Sequence, residues 1–309
     1  MWTERVARDV LVFLVLTPLV IAGAHAQVDT QTDNPAAESD FPESTSLWKV
    51  GTDSSTVYLM GSIHLLKESD YPLHPKMAEA YEEAETLVLE LHMDSTNTPA
   101  FQQYLMAKAA YDSGTTLRTE LPDSIYDQLN AQMETIGLDL EMMKQFEPWM
   151  IGLTFLNLKL QQLGFRPDLG VDAYFFGKAK EEGKTIEGLE NPEDQIGMFD
   201  SMSPSMQQTL LLQMLEQAAD IEKSVSMIVL PWKSGDLEDL DATIKKRFKE
   251  FPEVRDAIII KRNYDWIPKI EHYIESRGTH LIIVGVTHLA GDEGVIALLR
   301  QAGYDVEQM

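Results

Sequence analysis

The sequence predicts an α/β fold in which a mixed central sheet draws its strands from both ends of the chain, with a long helical insert between them. Short segments that are apolar, or that alternate apolar and polar residues, occur at residues 47–92 and again after residue 280, as in strands. Between them, apolar residues recur mostly at helical spacing, behind prolines or small residues that start helices. Since no repeat of solenoid period is visible, a single domain is expected over residues 47–309.

The strand predictions begin with a hairpin, because Leu47–Gly51 and Thr56–His64 flank the turn residues Asp53–Ser55. Thr86–His92 alternates leucines on one face with other residues on the opposite face, which predicts a further strand. His280–Leu289 is apolar almost throughout, as is typical of a central strand. Two shorter strands are predicted at Lys184–Leu189 and Tyr304–Glu307.

The helix predictions rest on apolar spacing and on proline or small residues at helix starts. The predicted helices are Pro75–Glu85, Ala100–Tyr111, Pro122–Ile136, Pro148–Leu163, Val171–Glu182, Pro192–Asp200, Pro204–Val225, Leu237–Lys249, Pro252–Arg277 (as one helix or two) and Glu293–Ala302. Methionine and leucine are frequent over residues 203–249, which indicates packing within a helical core rather than a cofactor site.

The first 26 residues are predicted to be a signal peptide. Arg5 and Arg8 precede the apolar run Val10–Ala24, and Ala24-His25-Ala26 is a small-x-small cleavage signal. An uncleaved anchor is the alternative, but the run is shorter than the roughly 20 residues that a spanning helix needs. The prediction is therefore a periplasmic or secreted protein without a stable membrane anchor. Residues 27–46 are acidic and polar, which predicts a disordered tether.

Charge and cysteine content exclude several kinds of function. The chain has 25 Lys and Arg residues against 50 Asp and Glu residues, so its formal net charge is −25. A nucleic-acid partner is not expected, because binding a phosphate backbone requires a basic face. Cysteine is absent, which excludes disulfides, cysteine-bound metals and a thiol nucleophile. A peptide or small-molecule substrate is compatible with this composition, whereas the oligomeric state is not indicated by it.

Two similar motifs end two of the predicted strands. Gly61-Ser62-Ile63-His64 and Gly285-Val286-Thr287-His288 each place a histidine three residues after a glycine, and each histidine precedes a leucine. The glycine would let a neighbouring backbone or a ligand approach closely. Ligands bind at strand ends in α/β sheets, so the two imidazoles could share one metal. The alternative for either histidine is a structural, hydrogen-bonded side chain.

Glu90 is the third candidate, because it interrupts an apolar strand segment. An unpaired carboxylate there would be costly, so Glu90 is expected to face a cation, a hydrogen-bond network or a cavity. Two histidines and a carboxylate leave coordination positions open for water, and this ligand set suits Zn, Mn, Co or Fe. A metal bound in this way lowers the pKa of its water.

Two further residues are candidates for a catalytic role. Glu187 lies on a short apolar strand and could act as a general base or a further ligand, with a solvent-facing strand residue as the alternative. Arg262 follows the apolar run Ile258-Ile259-Ile260 and could bind a carboxylate in bidentate fashion or orient Glu90. The neighbouring Lys261 makes a surface position the alternative for Arg262.

Taken in order, several segments resemble those of the TraB/PrgY/GumN family, which includes the Tiki proteins. The resemblance extends over more than 200 residues of the chain. The matching segments are Leu47–Val50, Thr56–Leu65, Glu90, Gly170-Val171-Asp172, Glu187-Gly188-Leu189-Glu190, Trp232–Leu237, Arg262-Asn263 and Gly285–Leu289.

The resemblance implies a fold of the EreA/ChaN-like type and a metal-dependent hydrolase, in the first place a peptidase, as the Tiki proteins are. By motif match, His64, Glu90 and His288 would bind a divalent metal, with Mn, Co or Zn as candidates. Glu187 would then shuttle a proton, and Arg262 would hold the substrate or an oxyanion. Two alternatives remain, a protein that sequesters a peptide or hydrophobic ligand without turnover and an esterase-like hydrolase. TraB and PrgY limit the activity of peptide pheromones, which is compatible with either cleavage or sequestration.

Overall fold

The computed structural model describes residues 41–309. The predicted signal peptide and residues 27–40 of the predicted tether lie outside the described residues. Thr45 and Ser46 are buried, so packing begins slightly before the predicted domain start at Leu47. Across residues 41–309, no helix is both long enough and apolar enough to span a membrane.

A six-stranded mixed sheet forms the centre of the described chain, which confirms the α/β fold with strands from both chain ends. The strands are β1 (Leu47–Thr52), β2 (Ser55–Ser62), β3 (Thr86–Leu89), β4 (Thr185–Gly188), β5 (Gly278–Gly285) and β6 (Glu307–Gln308). Their order across the sheet is β4-β3-β5-β2-β1-β6. The predicted hairpin is present, because β1 pairs antiparallel with β2 across a tight turn.

The parallel pairing sets which strand ends lie together. Ser62 at the end of β2 pairs with Gly285 at the end of β5. Leu89 at the end of β3 pairs with Ile283 of β5 and, on its other side, with Gly188 of β4. The carboxyl ends of these four strands therefore lie at one edge of the sheet, and the residues that follow them emerge together.

The helices that the structure describes surround this sheet. They are α1 (Pro75–Glu83), α2 (Met93–Thr96), α3 (Pro99–Ala109), α4 (Leu117–Glu120), α5 (Asp123–Thr135), α6 (Pro148–Gln162), α7 (Val171–Glu182), α8 (Pro192–Asp200), α9 (Pro204–Ala218), α10 (Ile221–Ser234), α11 (Leu237–Arg247), α12 (Pro252–Arg255), α13 (Lys261–Glu275) and α14 (Val295–Gln301). A π-helix, Asp256–Ile260, joins α12 to α13.

The sheet is buried on both faces because successive strand side chains enter different apolar layers. Leu281 and Ile283 of β5 pack with the helical insert, in one large cluster that extends from α1 to the π-helix. Ile282 and Val284 of the same strand pack with Trp266 and other residues of α13 and α14. The continuous apolar run of β5 is explained by these two layers.

Two helix predictions differ from the structure. The expected single helix Pro204–Val225 is wrong, because the chain breaks at Asp220, whose φ of −141° is not helical, and α10 then continues to Ser234. Apolar spacing continues on both sides of the break, so the spacing alone does not reveal it. The segment expected at Pro252–Arg277 is interrupted by the π-helix.

The predicted strands at Thr56–His64, Thr86–His92 and His280–Leu289 are present but end earlier than expected, whereas the predicted strand Tyr304–Glu307 shares only Glu307 with β6. β2 ends at Ser62 and β5 at Gly285, so each motif histidine lies just after its strand, and His288 lies in a 3-10 turn. β3 ends at Leu89, so Glu90 directly follows the strand rather than lying within it. As a result, all three side chains are free of the strand pairing and can turn toward one point.

Candidate functional site

A cluster of buried polar side chains lies at the carboxyl edge of the sheet. Four of its members follow or end strands: Ser62, His64, Glu90 and His288 are each almost inaccessible to solvent. Arg262, from the first turn of α13, extends into the cluster from the neighbouring layer and is equally buried. Buried charged groups occur in proteins chiefly where they are paired, and the contacts below show this pairing.

The two motif glycines allow the strands and side chains to approach each other. The backbone N–H of Gly285 donates a hydrogen bond to Glu90 Oε1 at 2.7 Å. A Cβ atom at Gly285 would lie 3.2 Å from that oxygen and 3.7 Å from His64 Nε2. A Cβ atom at Gly61 would lie 2.8 Å from a methyl group of Val286. The expectation that these glycines permit close approach is therefore confirmed.

Arg262 joins the members of the cluster. Its Nη2 donates to Glu90 Oε2 at 2.7 Å, and its Nη1 lies 3.1 Å from His288 Nε2. The other edge of the guanidinium binds Glu190 in bidentate fashion, with Nε 3.1 Å from Oε2 and Nη2 bonded to Oε1. The predicted bidentate carboxylate contact is present, and the alternative of a surface arginine is wrong.

The protonation of His288 follows from its neighbours. Asn263 Nδ2 donates to the backbone oxygen of Glu293 at 2.8 Å, which leaves Asn263 Oδ1 as the acceptor for His288 Nδ1 at 2.6 Å. His288 therefore carries its proton on Nδ1 and accepts from Arg262 at Nε2. Burial and the Arg262 charge lower the pKa of His288 to about 3, so the imidazole is neutral at physiological pH.

His64 has the opposite electrostatic environment. Its Nδ1 lies 3.0 Å from Asp172 Oδ1, which also accepts a 2.7 Å hydrogen bond from Ser62 Oγ. Burial lowers the pKa of His64, but the Asp172 carboxylate outweighs burial and raises that pKa to about 9. His64 Nδ1 and Asp172 Oδ1 are within ion-pair distance, but their geometry is not that of a hydrogen bond. His64 Nδ1 therefore has no hydrogen-bond partner among the described residues, and neither has Asp172 Oδ2.

Glu90 is ionised despite its burial. Burial raises the pKa of its carboxyl group and is the largest single cause, but the Arg262 charge, acting with His64 and with the N–H of Gly285, outweighs burial. The result is a pKa lowered to about 2. The expectation that Glu90 faces a cation or a hydrogen-bond network is confirmed, since it faces both.

Glu190, rather than Glu187, is the second glutamate of the cluster. Beyond Arg262, its carboxylate accepts from Gln195 Nε2 at 2.7 Å and from Trp266 Nε1 at 3.1 Å. Glu187 is exposed on the edge strand β4 and accepts a hydrogen bond from the Tyr273 hydroxyl. The expectation of Glu187 as a general base or ligand is therefore corrected: β4 directs Glu187 to solvent, and the chain beyond β4 brings Glu190 into the cluster.

Four members of the cluster were not predicted as site residues. They are Ser62, Asp172, Glu190 and Asn263, and each lies in a segment that carried the family resemblance, which is the signal that could have identified it. Their polarity alone was not sufficient, because the sequence contains 50 acidic residues and most of them are solvated.

The model of the TraB/PrgY/gumN family matches the chain over residues 46–308. The chain belongs to the TraB/PrgY/gumN family. The match covers nearly the whole of the described chain, including every residue of the cluster. The resemblance inferred from ordered motifs is thereby confirmed.

Two proteins are similar to this TraB/PrgY/gumN chain along most of its length. The chain is 23% identical over 243 residues to a protein of Escherichia coli (strain K12) named "Uncharacterized protein YbaP", covering 79% of this chain and 87% of that one. It is 20% identical over 267 residues to an "Uncharacterized protein" of Treponema pallidum (strain Nichols), covering 82% and 80%. No solved structure matches the chain significantly.

The donor set of this TraB/PrgY/gumN cluster fits a divalent metal chemically. Two imidazoles and an ionised carboxylate are ligands that such metals accept. Three carboxylates, those of Glu90, Glu190 and Asp172, outnumber Arg262 and a protonated His64, so the buried cluster has room for further positive charge. In residues 41–309, no three His, Asp or Glu side chains form a ready-made metal-binding group, and Arg262 contacts two of the expected ligands.

Proposed function

We propose that this protein is an exported, metal-dependent hydrolase that cleaves peptides. The observation that carries the proposal is the convergence of His64, Glu90 and His288 from three adjacent strand ends, with Gly285 leaving space between them. Export rests on the predicted signal peptide, and a fold of the EreA/ChaN-like type is part of the same proposal.

The residues that would hold the metal are His64, Glu90 and His288. When bound, the metal would polarise a substrate carbonyl and lower the pKa of a water molecule. Glu90 is already ionised and His288 already neutral, so both are in the protonation state that metal binding requires. His64, whose pKa is raised to about 9, must release a proton before its Nε2 can donate a lone pair.

Arg262 would change partners without leaving the site. Its bidentate bond to Glu190 remains in place when Nη1 and Nη2 release His288 and Glu90. These N–H groups are then available for the carboxylate of a substrate or for the oxyanion that develops during carbonyl hydrolysis. Gln195 and Trp266 hold Glu190 in position, so the guanidinium keeps a fixed pivot.

One observation favours a second function, the sequestration of a peptide without turnover. Arg262 already bonds Glu90 and neutralises it, so the cluster is electrostatically stable without added metal. In that case the cluster would be structural, and the methionine-rich helices of the insert would form the ligand groove.

Elemental analysis and product analysis distinguish these functions. The protein is purified from cells that express the full chain, dialysed, and compared with a His64→Ala/His288→Ala double variant and with His272→Ala, whose side chain is exposed. We expect near-stoichiometric metal, and peptide cleavage seen by mass spectrometry, in the wild type and His272→Ala but not in the double variant.

The same experiment can overturn the proposal. If the wild type binds no metal after incubation with Mn, Co and Zn, and peptides are bound but not cleaved, the sequestering function replaces it. If a panel of esters is hydrolysed while peptides remain intact, the substrate class is wrong and the esterase-like function is favoured.

A further inference from the structure

We infer that Asp172 and Asn263 are positioning residues, which hold the two motif imidazoles so that both Nε2 atoms face the space beside Glu90. The inference rests on the proposed function, because it assigns these Nε2 atoms to a metal. It concerns two residues that do not contact the metal or the substrate themselves.

Asn263 fixes His288 by a chain of determined hydrogen bonds. The Asn263 amide can have only one orientation, since its Nδ2 donates to the Glu293 backbone oxygen at 2.8 Å. Its Oδ1 must therefore accept from His288 Nδ1, at 2.6 Å. The tautomer with an Nε2 lone pair is the only one compatible with this contact. Both side chains are completely buried, so water does not compete for these groups.

Asp172 holds His64 from the opposite side of the cluster. It lies in the first turn of α7, which is tied to the end of β2 because the N–H of Val171 donates to the Ile63 backbone oxygen at 3.1 Å. A Cβ atom at Gly170 would lie only 2.3 Å from the His64 backbone oxygen, so glycine is required for this approach. The Ser62 hydroxyl then fixes the Asp172 carboxylate at 2.7 Å.

The His64–Asp172 contact is within ion-pair distance but lacks the geometry of a hydrogen bond. His64 Nδ1 and Asp172 Oδ2 are both buried without hydrogen-bond partners among the described residues. Leaving buried polar atoms without hydrogen-bond partners is unfavourable, so a small rotation that joins imidazole and carboxylate is favourable. Such a rotation keeps Nδ1 on the Asp172 side of the ring and leaves Nε2 on the Glu90 side.

The two imidazoles thus have different supports. Asp172 is a carboxylate, which makes an imidazole more basic and a stronger ligand, whereas Asn263 is a neutral amide that fixes orientation alone. Outer partners of this kind typically change metal affinity by about 10–100-fold when removed. We expect the loss of Asp172 to weaken metal binding more than the loss of Asn263.

The first test measures metal affinity by competition with a chelating dye, using Mn, Co and Zn on the full-length protein. Asp172→Asn and Asn263→Ala are expected to weaken binding by about 10–100-fold. Asn263→Asp keeps the Oδ1 acceptor and should bind closer to wild type than Asn263→Ala does. Asp168→Asn is the matched control, because Asp168 lies just before α7 but is exposed and pairs with Arg166.

The second test needs no metal. Nitrogen-15 NMR of labelled histidine in the metal-free protein reports which ring nitrogen carries the proton. We expect His288 to be protonated at Nδ1 in the wild type, in Asp168→Asn and in Asn263→Ala, because the Arg262 donor at Nε2 selects this tautomer in all three. The Nδ1–H proton is expected to be protected from exchange with water in the wild type and Asp168→Asn, and to lose that protection in Asn263→Ala, which lacks the acceptor. Circular dichroism and thermal unfolding establish that each variant is folded.

The outcomes separate the inference from the proposed function. A wild type that binds none of the three metals overturns the proposed function, and the protection of the His288 Nδ1–H from exchange then decides the role of Asn263 by itself: equal protection in the wild type and Asn263→Ala overturns that role. Metal binding within twofold of wild type in folded Asp172→Asn and Asn263→Ala overturns the inference while leaving the metal site intact.

Discussion

At the scale of single residues, Gly285 is a position where adding one methyl group is expected to disturb the polar cluster strongly. Its N–H bonds Glu90, and a Cβ atom there would meet Glu90 Oε1 at 3.2 Å and a ring carbon of His288 at 3.5 Å. Gly285→Ala must therefore displace Glu90 or the strand end, at about 1–3 kcal/mol of the free energy of unfolding. We expect the proposed peptidase activity to fall at least tenfold, measured beside urea unfolding.

The control for that prediction is Gly177→Ala in α7, where an added Cβ atom meets nothing within 4 Å. A helix interior favours alanine, so this variant should gain about 0.5–1 kcal/mol and keep full activity. Equal activity in Gly285→Ala and Gly177→Ala would show that the close approach at Gly285 has no functional importance.

The ion pair between His64 and Asp172 predicts how stability depends on pH in the metal-free protein. The pKa of His64 is raised from 6.5 to about 9, so the folded state binds this proton more tightly than the unfolded state. The stabilisation is complete below pH 6.5 and is lost as pH rises to 9. His288, whose pKa is lowered from 6.5 to about 3, acts in the opposite direction where the unfolded imidazole still binds a proton, and is neutral in both states above roughly pH 7.5.

Urea unfolding between pH 7.5 and 9.5 measures this loss without the contribution of His288. We expect the free energy of unfolding to decline across the window in the metal-free wild type and to decline less in Asp172→Asn. A decline of equal slope in both proteins would mean that another group titrates there, and that the His64–Asp172 pair does not set the pKa.

At the scale of elements, α10 holds the strand that carries the first motif. Trp232 Nε1 donates to the Gly61 backbone oxygen at 2.7 Å, and Ser46 Oγ donates to the Trp232 oxygen at 2.7 Å. Trp232→Phe keeps most of the ring but loses the donor, so the protein should lose about 1–3 kcal/mol of stability. Metal affinity should stay within a few-fold, because Trp232 supports β2 rather than a ligand; a loss like that of the histidine variants would contradict this.

The same scale shows which parts of the site a sequence can predict. Local sequence was enough to predict the strands, both histidines and Glu90. The two histidines end apolar runs and Glu90 interrupts one, and both are local properties. Which of the two glutamates, Glu187 or Glu190, enters the cluster does not depend on the local sequence. It depends on the parallel pairing of β4 with β3 and on the N–H of Glu190 reaching the Glu90 backbone oxygen beyond the strand ends. Asp172 likewise enters the cluster only because α7 is tied to the end of β2.

The boundaries of the helices at residues 204–225 and 252–277 were not predicted correctly, for a related physical reason. The break at Asp220 separates α9 from α10 although apolar residues keep helical spacing on both sides, and tertiary packing decides where such a chain turns. The π-helix before α13 has no signature in the apolar run Ile258-Ile259-Ile260, yet it directly precedes Arg262 and Asn263. π-helical turns are frequent at functional sites, and here one precedes the residues that face the cluster.

At the scale of the whole molecule, the net charge of −25 should govern which peptides arrive at the site. A protein of this charge attracts basic peptides and repels acidic ones, and added salt screens both effects with a Debye length of about 10 Å at 0.1 M. We therefore expect kcat/KM to be highest for lysine-containing peptides and lowest for glutamate-containing peptides of the same length. Raising the ionic strength should lower the first value and raise the second.

A neutral peptide of matched sequence is the control for that series, since its kcat/KM should change little with salt. Steering acts on the encounter, so kcat at saturating peptide should be insensitive to ionic strength in all three cases. If salt instead changes kcat, or leaves all three kcat/KM values equal, specificity is determined by contacts within the site. Arg262, the buried cation between Glu90 and Glu190, would then be the residue to vary next, as it can bind a substrate carboxylate where the surrounding surface repels one.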